Sequence, residues 1–167
     1  MSDAPLEPEA APAEPPPYRT LVAWADGSGN TMGQHTGIGV VVLEGDVVLV
    51  EASDTVGLGT NQIAELCAVR RAINLVFQIT RSRQTALTIH TDSAWTIGAV
   101  QRGSRWKLKA NPALSELGYQ TRAEIERWPR LTFAHCKGHS GLVHNERCDV
   151  LAGQGRRRAE ARASAAP

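Results

Sequence analysis

The sequence predicts an α/β protein in which helices cover a mixed β-sheet. Three stretches with the alternation or the valine content of β-strands come first, and helical and strand patterns alternate after them. Strands joined by a short turn pair antiparallel, whereas strands separated by a helix pair in parallel. The 42% apolar content is ordinary for a globular protein, and 167 residues are enough for one domain with tails.

The first three strands are defined by period-two patterns and by turns. The first strand is expected at residues 18–26, and Asp26-Gly-Ser-Gly-Asn30 then turns the chain. The second is a valine-rich strand at residues 37–43. Glu44-Gly45-Asp46 has the composition of a hairpin turn, so a third strand is expected to return over residues 47–52.

The clearest helix is predicted over residues 61–80. Thr60 precedes it and has a side chain suited to cap the first turn, and Glu65 lies in the second turn. Its apolar residues recur at helical spacing and form one stripe: Leu66, Val69, Ile73 and Val76. Strand and helix then alternate, with a strand at 87–91, helices at 93–100 and 112–127, a strand at 131–136 and a helix from about Asn145.

Both ends of the chain differ in composition from its body. Residues 1–17 are nearly all Ala, Pro and Glu, with four acidic residues and no basic one, and are expected to be a disordered tail. Residues 156–167 carry four arginines and one glutamate and are expected to be a second tail beyond the last helix. The folded domain is therefore expected over residues 18–155.

The cysteines and the hydropathy of the sequence indicate the cellular compartment of the protein. The three cysteines (Cys67, Cys136 and Cys148) form no CxxC pair, which favours free thiols in a reducing compartment. No apolar run has the length of a membrane span, and no export signal is visible. We therefore expect a cytoplasmic protein without membrane contact. No feature indicates an obligate protein partner, so a monomer is expected.

Four carboxylates are the candidate reactive groups. Asp26 and Asp92 are expected at the ends of neighbouring strands, whereas Glu65 and Asp149 are expected on helices. Four carboxylates in one place raise each other's pKa values unless cations neutralise them. Two hard divalent ions, Mg²⁺ or Mn²⁺, suit oxygen ligands, and such a pair can activate water for displacement at a phosphodiester.

A histidine on a glycine-flanked loop is the other candidate. Lys137-Gly-His139-Ser-Gly141 is a short polar stretch that precedes the helix of Asp149. A histidine beside a metal site can assist proton movement or product departure. Magnesium prefers oxygen ligands, so His139 is not expected to bind the metal.

Each candidate residue also has a purely structural interpretation. Asp26-Gly27 is a common turn sequence after a strand. Glu65 could lie on a solvated helix face, Asp92 could cap the following helix, and Asp149 could pair with a neighbouring basic side chain.

Taken together, four motifs carry a resemblance. They are Asp26-Gly-Ser28, Thr60-Asn-Gln-x-x-Glu65-Leu, Thr91-Asp-Ser93, and Lys137-Gly-His-Ser-Gly141 with Asn145-Glu-Arg-Cys-Asp149. In this order and spacing they resemble the ribonuclease H type 1 (ribonuclease HI) family over about residues 20–155. The resemblance implies a ribonuclease H-like fold, a five-stranded mixed sheet of three antiparallel strands plus two parallel ones, flanked by helices. It also implies an endonuclease that cuts the RNA strand of RNA/DNA hybrids and leaves 5′-phosphate and 3′-hydroxyl ends.

The resemblance implies a role for each matching residue. Asp26, Glu65, Asp92 and Asp149 match the family's metal-binding catalytic carboxylates, which use two Mg²⁺ ions with Mn²⁺ as a substitute. His139 matches the loop histidine linked to proton transfer and product release.

Nine residues are expected to bind the substrate: Asn30, Thr60, Asn61, Gln62, Trp95, Arg105, Lys107, Lys109 and Asn111. Asn61 and Gln62 match residues that contact 2′-hydroxyls of the RNA strand, the group that separates RNA from DNA. Thr60 and Asn111 match a pocket for a DNA-strand phosphate. Trp95 takes the place of an aromatic residue beside the DNA strand, and a core tryptophan is its alternative interpretation.

The sequence departs from the family pattern in its substrate contacts. Many relatives carry a Trp-rich basic helix and loop where this chain has only a short basic stretch at residues 101–112. That stretch is interpreted as a reduced substrate handle, with solvated charge as the alternative. Leu58-Gly59 replaces an arginine that some relatives place before Thr60, and Ala94 replaces an amide side chain. These departures bear on affinity rather than on the cleavage chemistry.

Two other functions stay open. A nuclease of the same superfamily that acts on DNA is one, and Asn61, Gln62 and His139 argue against it. A hybrid-binding module without catalysis is the other, and the presence of all four carboxylates argues against it.

Overall fold

The computed structural model describes residues 18–29, 34–102 and 112–165. Its elements in chain order are β1 (Thr20–Ser28), β2 (His35–Glu44), β3 (Val47–Leu58), α1 (Asn61–Thr80), β4 (Ala86–Thr91), α2 (Ala94–Arg102), α3 (Pro112–Glu126), β5 (Leu131–His135) and α4 (Val143–Ser164). No helix in these ranges is long and apolar enough to cross a membrane.

The described strands form one mixed sheet in the order β3-β2-β1-β4-β5. β1, β2 and β3 pair antiparallel, whereas β4 pairs in parallel with both β1 and β5. The predicted sheet of three antiparallel strands plus two parallel ones is therefore confirmed. β1 lies at the centre, next to β4, so the carboxyl ends of these two strands lie side by side.

Helix α1 covers one face of the sheet. All residues of its predicted apolar stripe are fully buried. Three of them join the main core with alternate residues of β1, which are Leu21, Ala23 and Ala25. The predicted N-cap is also present, because the backbone N–H of Ile63 donates to the Thr60 hydroxyl at 3.3 Å.

Helix α4 covers the opposite face. Val41 and Leu43 of β2 contact its Cys148 and Leu151, whereas the alternate β2 residues belong to the core under α1. A β-carbon added at Gly39 would overlap the carbonyl oxygen of Cys148, so α4 lies directly on β2. Gly39 is the cross-strand partner of Asp26, and this close packing therefore brings the start of α4 toward Asp26.

Three strands differ from their predicted bounds, because β1 is shifted by two residues and β2 and β3 are longer than predicted. Asp26 lies inside β1 rather than at its last position, because Gly27 and Ser28 continue the pairing with β2. β3 continues to Leu58 instead of ending near Ala52, because β2 offers it pairing partners as far as His35. Apolar alternation ends earlier than the backbone pairing in β1 and β3, which is why the pattern placed the ends of these two strands too early.

Helix α4 is also longer than predicted. It ends at Ser164, so the expectation that it stops before an arginine-rich tail starting at residue 156 is wrong. Alanine, arginine and glutamate are strong helix formers. Arg156 donates to Glu160 at 2.9 Å, and Arg158 donates to the hydroxyl of Ser53 on β3 at 2.8 Å. The last turns of α4 are thus tied to the sheet.

The three cysteines are free thiols, as expected. Cys136 and Cys148 are buried, and burial is the main cause that raises their pKa values. Both thiols are therefore protonated at neutral pH.

Candidate active site

Two adjacent parallel strands place the first pair of carboxylates. Asp26 lies near the carboxyl end of β1, and Asp92 follows directly after β4. The register pairs Trp24 with His90, so the residues two positions further along each strand lie at the same level. The prediction that Asp26 and Asp92 come from neighbouring strands is confirmed.

The two helices supply the other pair. Glu65 lies in the second turn of α1, where a β-carbon on Gly27 would overlap the backbone of Ala64 and Glu65. β1 and α1 are therefore in direct backbone contact beside Asp26. Asp149 lies in the second turn of α4, the helix that packs on β2 from the other side.

These side chains converge on one open cavity of about 450 Å³. Its lining residues are Asp26, Gly27, Ser28, Gly29, Asn61, Glu65, Asp92, Ser93, His139 and Asp149. Carboxylate oxygens of Asp26, Glu65 and Asp92 lie within 4.8 Å of one another. Asp149 is outside that tightest group but faces the same cavity. The structure therefore brings together the four carboxylates and the histidine that the sequence singled out.

Burial and mutual repulsion hold protons on this cluster. Asp26 and Glu65 are only 7% and 6% exposed. Burial raises the pKa of Asp26 to about 7, and the charges of Asp92 and Asp149 add to the effect. Burial likewise raises the pKa of Glu65 to about 9, with further contributions from Asp26 and Asp92. Ionising all of these carboxylates at once is therefore unfavourable unless cations neutralise them.

A divalent cation fits this arrangement. The Oε2 atom of Glu65 is buried and has no hydrogen-bond partner in the described part of the chain. Buried polar atoms are rarely left without a partner, and an ion is one of the groups that can satisfy them. Clustered carboxylate oxygens are the hard ligands that Mg²⁺ or Mn²⁺ prefers.

The loop between β5 and α4 carries His139 over the cluster. His139 is exposed, and its charge lowers the pKa of Asp26, so the ring lies near that carboxylate. Its φ of 49° is in the left-handed region, which is uncommon for a residue other than glycine. The loop is closed by the hydroxyl of Ser140, which donates to the Lys137 carbonyl at 2.6 Å. This backbone conformation agrees with a site function for His139.

The purely structural interpretations of the carboxylates fail. Asp26 is in a strand, and Glu65 is buried rather than solvated. The hydroxyl of Ser93, not the Asp92 carboxylate, accepts from the backbone N–H of Thr96 in the first turn of α2. The basic neighbour Arg147 is engaged elsewhere, in a two-point ion pair with Glu51.

The expected substrate-binding residues are only partly covered by the described structure. Asn61 lines the cavity, and Gln62 is exposed beside it on the first turn of α1. Trp95 is half-buried and packs against a core cluster containing Leu66 and Leu114, so it is partly a core residue. The remaining predicted residues lie outside the described ranges: Asn30, Arg105, Lys107, Lys109 and Asn111.

Sequence reasoning missed part of the site. Ser28, Gly29 and Ser93 line the cavity, and their signal was adjacency to Asp26 and Asp92. Below the His139 loop, the buried Cys136 thiol donates to the side-chain oxygen of buried Asn145 at 3.3 Å. That hydrogen bond joins the end of β5 to the start of α4, and no spacing rule in the sequence indicates it.

Known proteins resemble this chain in sequence and fold. A family model described as RNase H matches residues 19–157. A ribonuclease H of Syntrophus aciditrophicus is 27% identical over 170 residues, covering 97% of this chain and 95% of the relative. Human ribonuclease H1 is 27% identical over 172 residues, which cover 93% of this chain and 59% of the human protein.

Solved structures also resemble this chain in fold. LC11-RNase H1, isolated from compost, superposes with a TM-score of 0.71 at 26% identity, covering 85% of this chain and 99% of that one. The same enzyme in complex with an RNA/DNA hybrid gives a TM-score of 0.71 at 24% identity, covering 84% of this chain and 99% of that chain. A family match over most of the chain, with relatives that align along nearly its whole length, shows that this protein belongs to the ribonuclease H type 1 family and is a ribonuclease H enzyme.

Proposed function

We propose that this enzyme cleaves the RNA strand of RNA/DNA hybrids endonucleolytically, by hydrolysis with two divalent metal ions, and leaves 5′-phosphate and 3′-hydroxyl ends. The observation that carries the proposal is the cluster of Asp26, Glu65 and Asp92, whose carboxylate oxygens lie within 4.8 Å of one another. Asp149 and His139 face the same open cavity. The solved complex of LC11-RNase H1 with an RNA/DNA hybrid supports the substrate class.

The four carboxylates would hold the ions. Asp26 and Glu65 are the buried members, and Asp92 and Asp149 are more exposed members at the cavity wall. When bound, two Mg²⁺ ions, or Mn²⁺ as a substitute, would supply positive charge at the attacking and leaving oxygens of the phosphodiester. The carboxylates would hold the ions firmly, because two adjacent strands and two helices on opposite faces of the sheet position these side chains.

His139 would handle a proton at the scissile phosphate. Its ring is exposed and lies at the cavity rim, where a phosphate on the carboxylate cluster would be within reach. The backbone at His139 is left-handed, and the residue lines the cavity. In our proposal the histidine accepts or relays a proton and helps the product leave, and it does not ligate the metal.

The start of α1 would distinguish RNA from DNA. Asn61 and Gln62 are exposed at the first turn of the helix, next to the carboxylate of Glu65. Amide side chains donate and accept hydrogen bonds, as does the 2′-hydroxyl that only RNA carries. Thr60 lies at the amino terminus of the same helix, where the helix would stabilise an anionic phosphate of the DNA strand.

Other contacts would come from the expected substrate-binding residues further along the chain. Trp95 would contact the hybrid with the part of its ring that stays exposed. The remaining residues would add polar and basic contacts to the two backbones: Asn30, Arg105, Lys107, Lys109 and Asn111. We further propose that the enzyme acts as a monomer in the cytoplasm and that residues 1–17 are a tail outside the catalytic domain.

One gel tests the proposal. End-labelled RNA/DNA hybrid, double-stranded RNA and double-stranded DNA are each incubated with the enzyme in magnesium or in chelator. We expect internal cuts in the RNA of the hybrid, only with magnesium, and fragments whose ends match 5′-phosphate and 3′-hydroxyl markers. Cleavage of double-stranded DNA in place of the hybrid, or undiminished cleavage in chelator, would contradict it.

A further inference from the structure

Asn61 makes two hydrogen bonds that join three parts of the active site. Its side-chain oxygen accepts from the backbone N–H of Gly29, just beyond the end of β1, at 3.2 Å. Its side-chain nitrogen donates to Oε1 of Glu65 at 3.3 Å. Asn61 is the first residue of α1, and Glu65 lies four residues later on the same helix face. The amide therefore links the loop after β1 to a carboxylate of the cluster.

Asn61 is the side chain that donates to Glu65 in the described residues, in addition to the backbone N–H of Gly27. The other carboxylate oxygen, Oε2, is buried without a hydrogen-bond partner in the described residues. The carboxylate is also repelled by Asp26 and Asp92. A hydrogen bond from a neutral amide fixes the orientation of Glu65 without adding another charge to the cluster. It engages Oε1 and leaves Oε2 available to a cation.

The amide keeps capacity for a substrate. An asparagine side chain has two N–H donors and an oxygen with two lone pairs. The hydrogen bonds to Gly29 and Glu65 use one donor and one lone pair. Asn61 is exposed, so the remaining N–H and lone pair can reach a 2′-hydroxyl while both internal bonds stay in place.

We infer that Asn61 is a positioning residue for Glu65: it orients this carboxylate toward the metal, in addition to the contact with RNA that the proposed function gives it. The inference rests on the proposed function for the RNA contact alone. Orientation of Glu65 precedes substrate binding, so its consequences are measurable in the free enzyme. The same side chain would then connect recognition of the RNA sugar to the metal site.

Gln62 offers a matched control. It is the next residue, is equally exposed, and is expected to contact RNA in the same manner. No hydrogen bond joins Gln62 to Glu65 within the described part of the chain. Alanine at either position is a good helix former, so both variants, Asn61→Ala and Gln62→Ala, are expected to fold. A difference in magnesium affinity between the two variants therefore reports on the hydrogen bond from Asn61 to Glu65.

Two measurements on the full-length protein need no substrate. The first is amide hydrogen exchange of Gly29 in metal-free protein, which we expect to become several-fold faster in Asn61→Ala and to stay unchanged in Gln62→Ala. The second is calorimetric titration with magnesium alone. Loss of a group that orients a metal ligand typically weakens affinity about 10–100-fold, and we expect the lower end for Asn61→Ala because the residue is exposed. Gln62→Ala should retain the magnesium affinity of the unchanged enzyme.

A second variant keeps the shape of the side chain. Asn61→Asp retains an oxygen for Gly29 but cannot donate to Glu65 and repels it. We expect wild-type exchange at Gly29 together with a lower turnover number at saturating magnesium. Magnesium affinity and Gly29 exchange that match wild type in Asn61→Ala, with only a higher KM for the hybrid, would overturn the inference. Failure of the unchanged enzyme to cut hybrids would instead overturn the proposed function, and the two failures are therefore distinct.

Discussion

Gly138 lies against the carboxylate of Asp92: a β-carbon added to Gly138 would be 2.5 Å from Oδ2 of Asp92. The loop that carries His139 therefore rests on the acidic cluster with no side chain between them. This contact sets the distance between the loop and the carboxylates. It also explains why glycine precedes the histidine, although the φ of Gly138 does not itself require glycine.

Replacing that glycine tests the close approach. In Gly138→Ala the loop must lift or Asp92 must rotate out of the cluster, and either change separates groups that act together. We expect turnover of the hybrid to fall by at least about tenfold, since displacement of catalytic groups by about 1 Å is costly. Thermal unfolding of metal-free protein should change little, because the loop is at the surface. Turnover equal to wild type would show that the loop has room for the methyl group.

The raised pKa values predict how the stability of the metal-free protein depends on pH. Asp26 and Glu65 have pKa values of about 7 and about 9 in the folded protein, against about 4 in an unfolded chain. The folded state therefore binds protons more tightly than the unfolded state. Their contribution to stability is complete below about pH 4 and is lost as the pH rises through about 7 and about 9.

Urea unfolding in chelator checks this dependence. Between about pH 4 and about pH 7, the pKa values of Asp26 in the unfolded and folded states, the free energy of unfolding should fall more steeply for the unchanged protein than for Asp26→Asn. Magnesium should restore stability most at the upper end of the range, where the cluster is most charged. Parallel curves for the two proteins in chelator would show that Asp26 does not have a raised pKa.

His139 should assist the reaction without binding metal. A proton carrier typically contributes about 10²–10⁴-fold in rate. We expect His139→Ala to slow turnover within or somewhat below that range and to leave measurable activity. Its magnesium affinity, followed by calorimetry, should equal that of the unchanged enzyme. A loss of magnesium binding in His139→Ala would identify the histidine as a ligand and rule out this role.

The short basic stretch should act on substrate affinity. Replacing Arg105, Lys107 and Lys109 together by glutamine should raise KM more than it lowers kcat, because basic side chains that bind phosphates position a nucleic acid. In a plot of the logarithm of affinity against the logarithm of salt concentration, the slope should become shallower by up to about one unit for each phosphate that is no longer neutralised. A salt slope identical to wild type would mean that the stretch is only solvated.

The sequence predicted the elements and the carboxylates for physical reasons. α1 was predicted with its observed bounds because an apolar stripe, an N-cap and a following change of pattern all agree. Asp92 was located because it ends a short apolar strand. Glu65 was identified only through its neighbours in the motif, since a single glutamate on a helix carries no periodic signal.

Other features depend on interactions between distant residues and were not predictable from local patterns. The extension of β1 past Asp26 depends on pairing with β2, and the extension of α4 agrees with the hydrogen bond between Arg158 and Ser53. The hydrogen bond between Cys136 and Asn145, and the closeness of Gly138 to Asp92, arise from the folded backbone. Neither has a signature in spacing or composition.

Turnover of an RNA/DNA hybrid by Asp26→Asn at saturating magnesium is the sharpest test of the proposal that the carboxylate cluster carries out cleavage. Asp26 is the buried carboxylate whose pKa is raised by burial, Asp92 and Asp149, and it belongs to the tightest group of carboxylate oxygens. The substitution keeps the shape of the side chain and removes its charge, and the metal-free variant should be at least as stable as the unchanged protein. We expect a folded variant with no detectable cleavage. Turnover near that of the unchanged enzyme would contradict it.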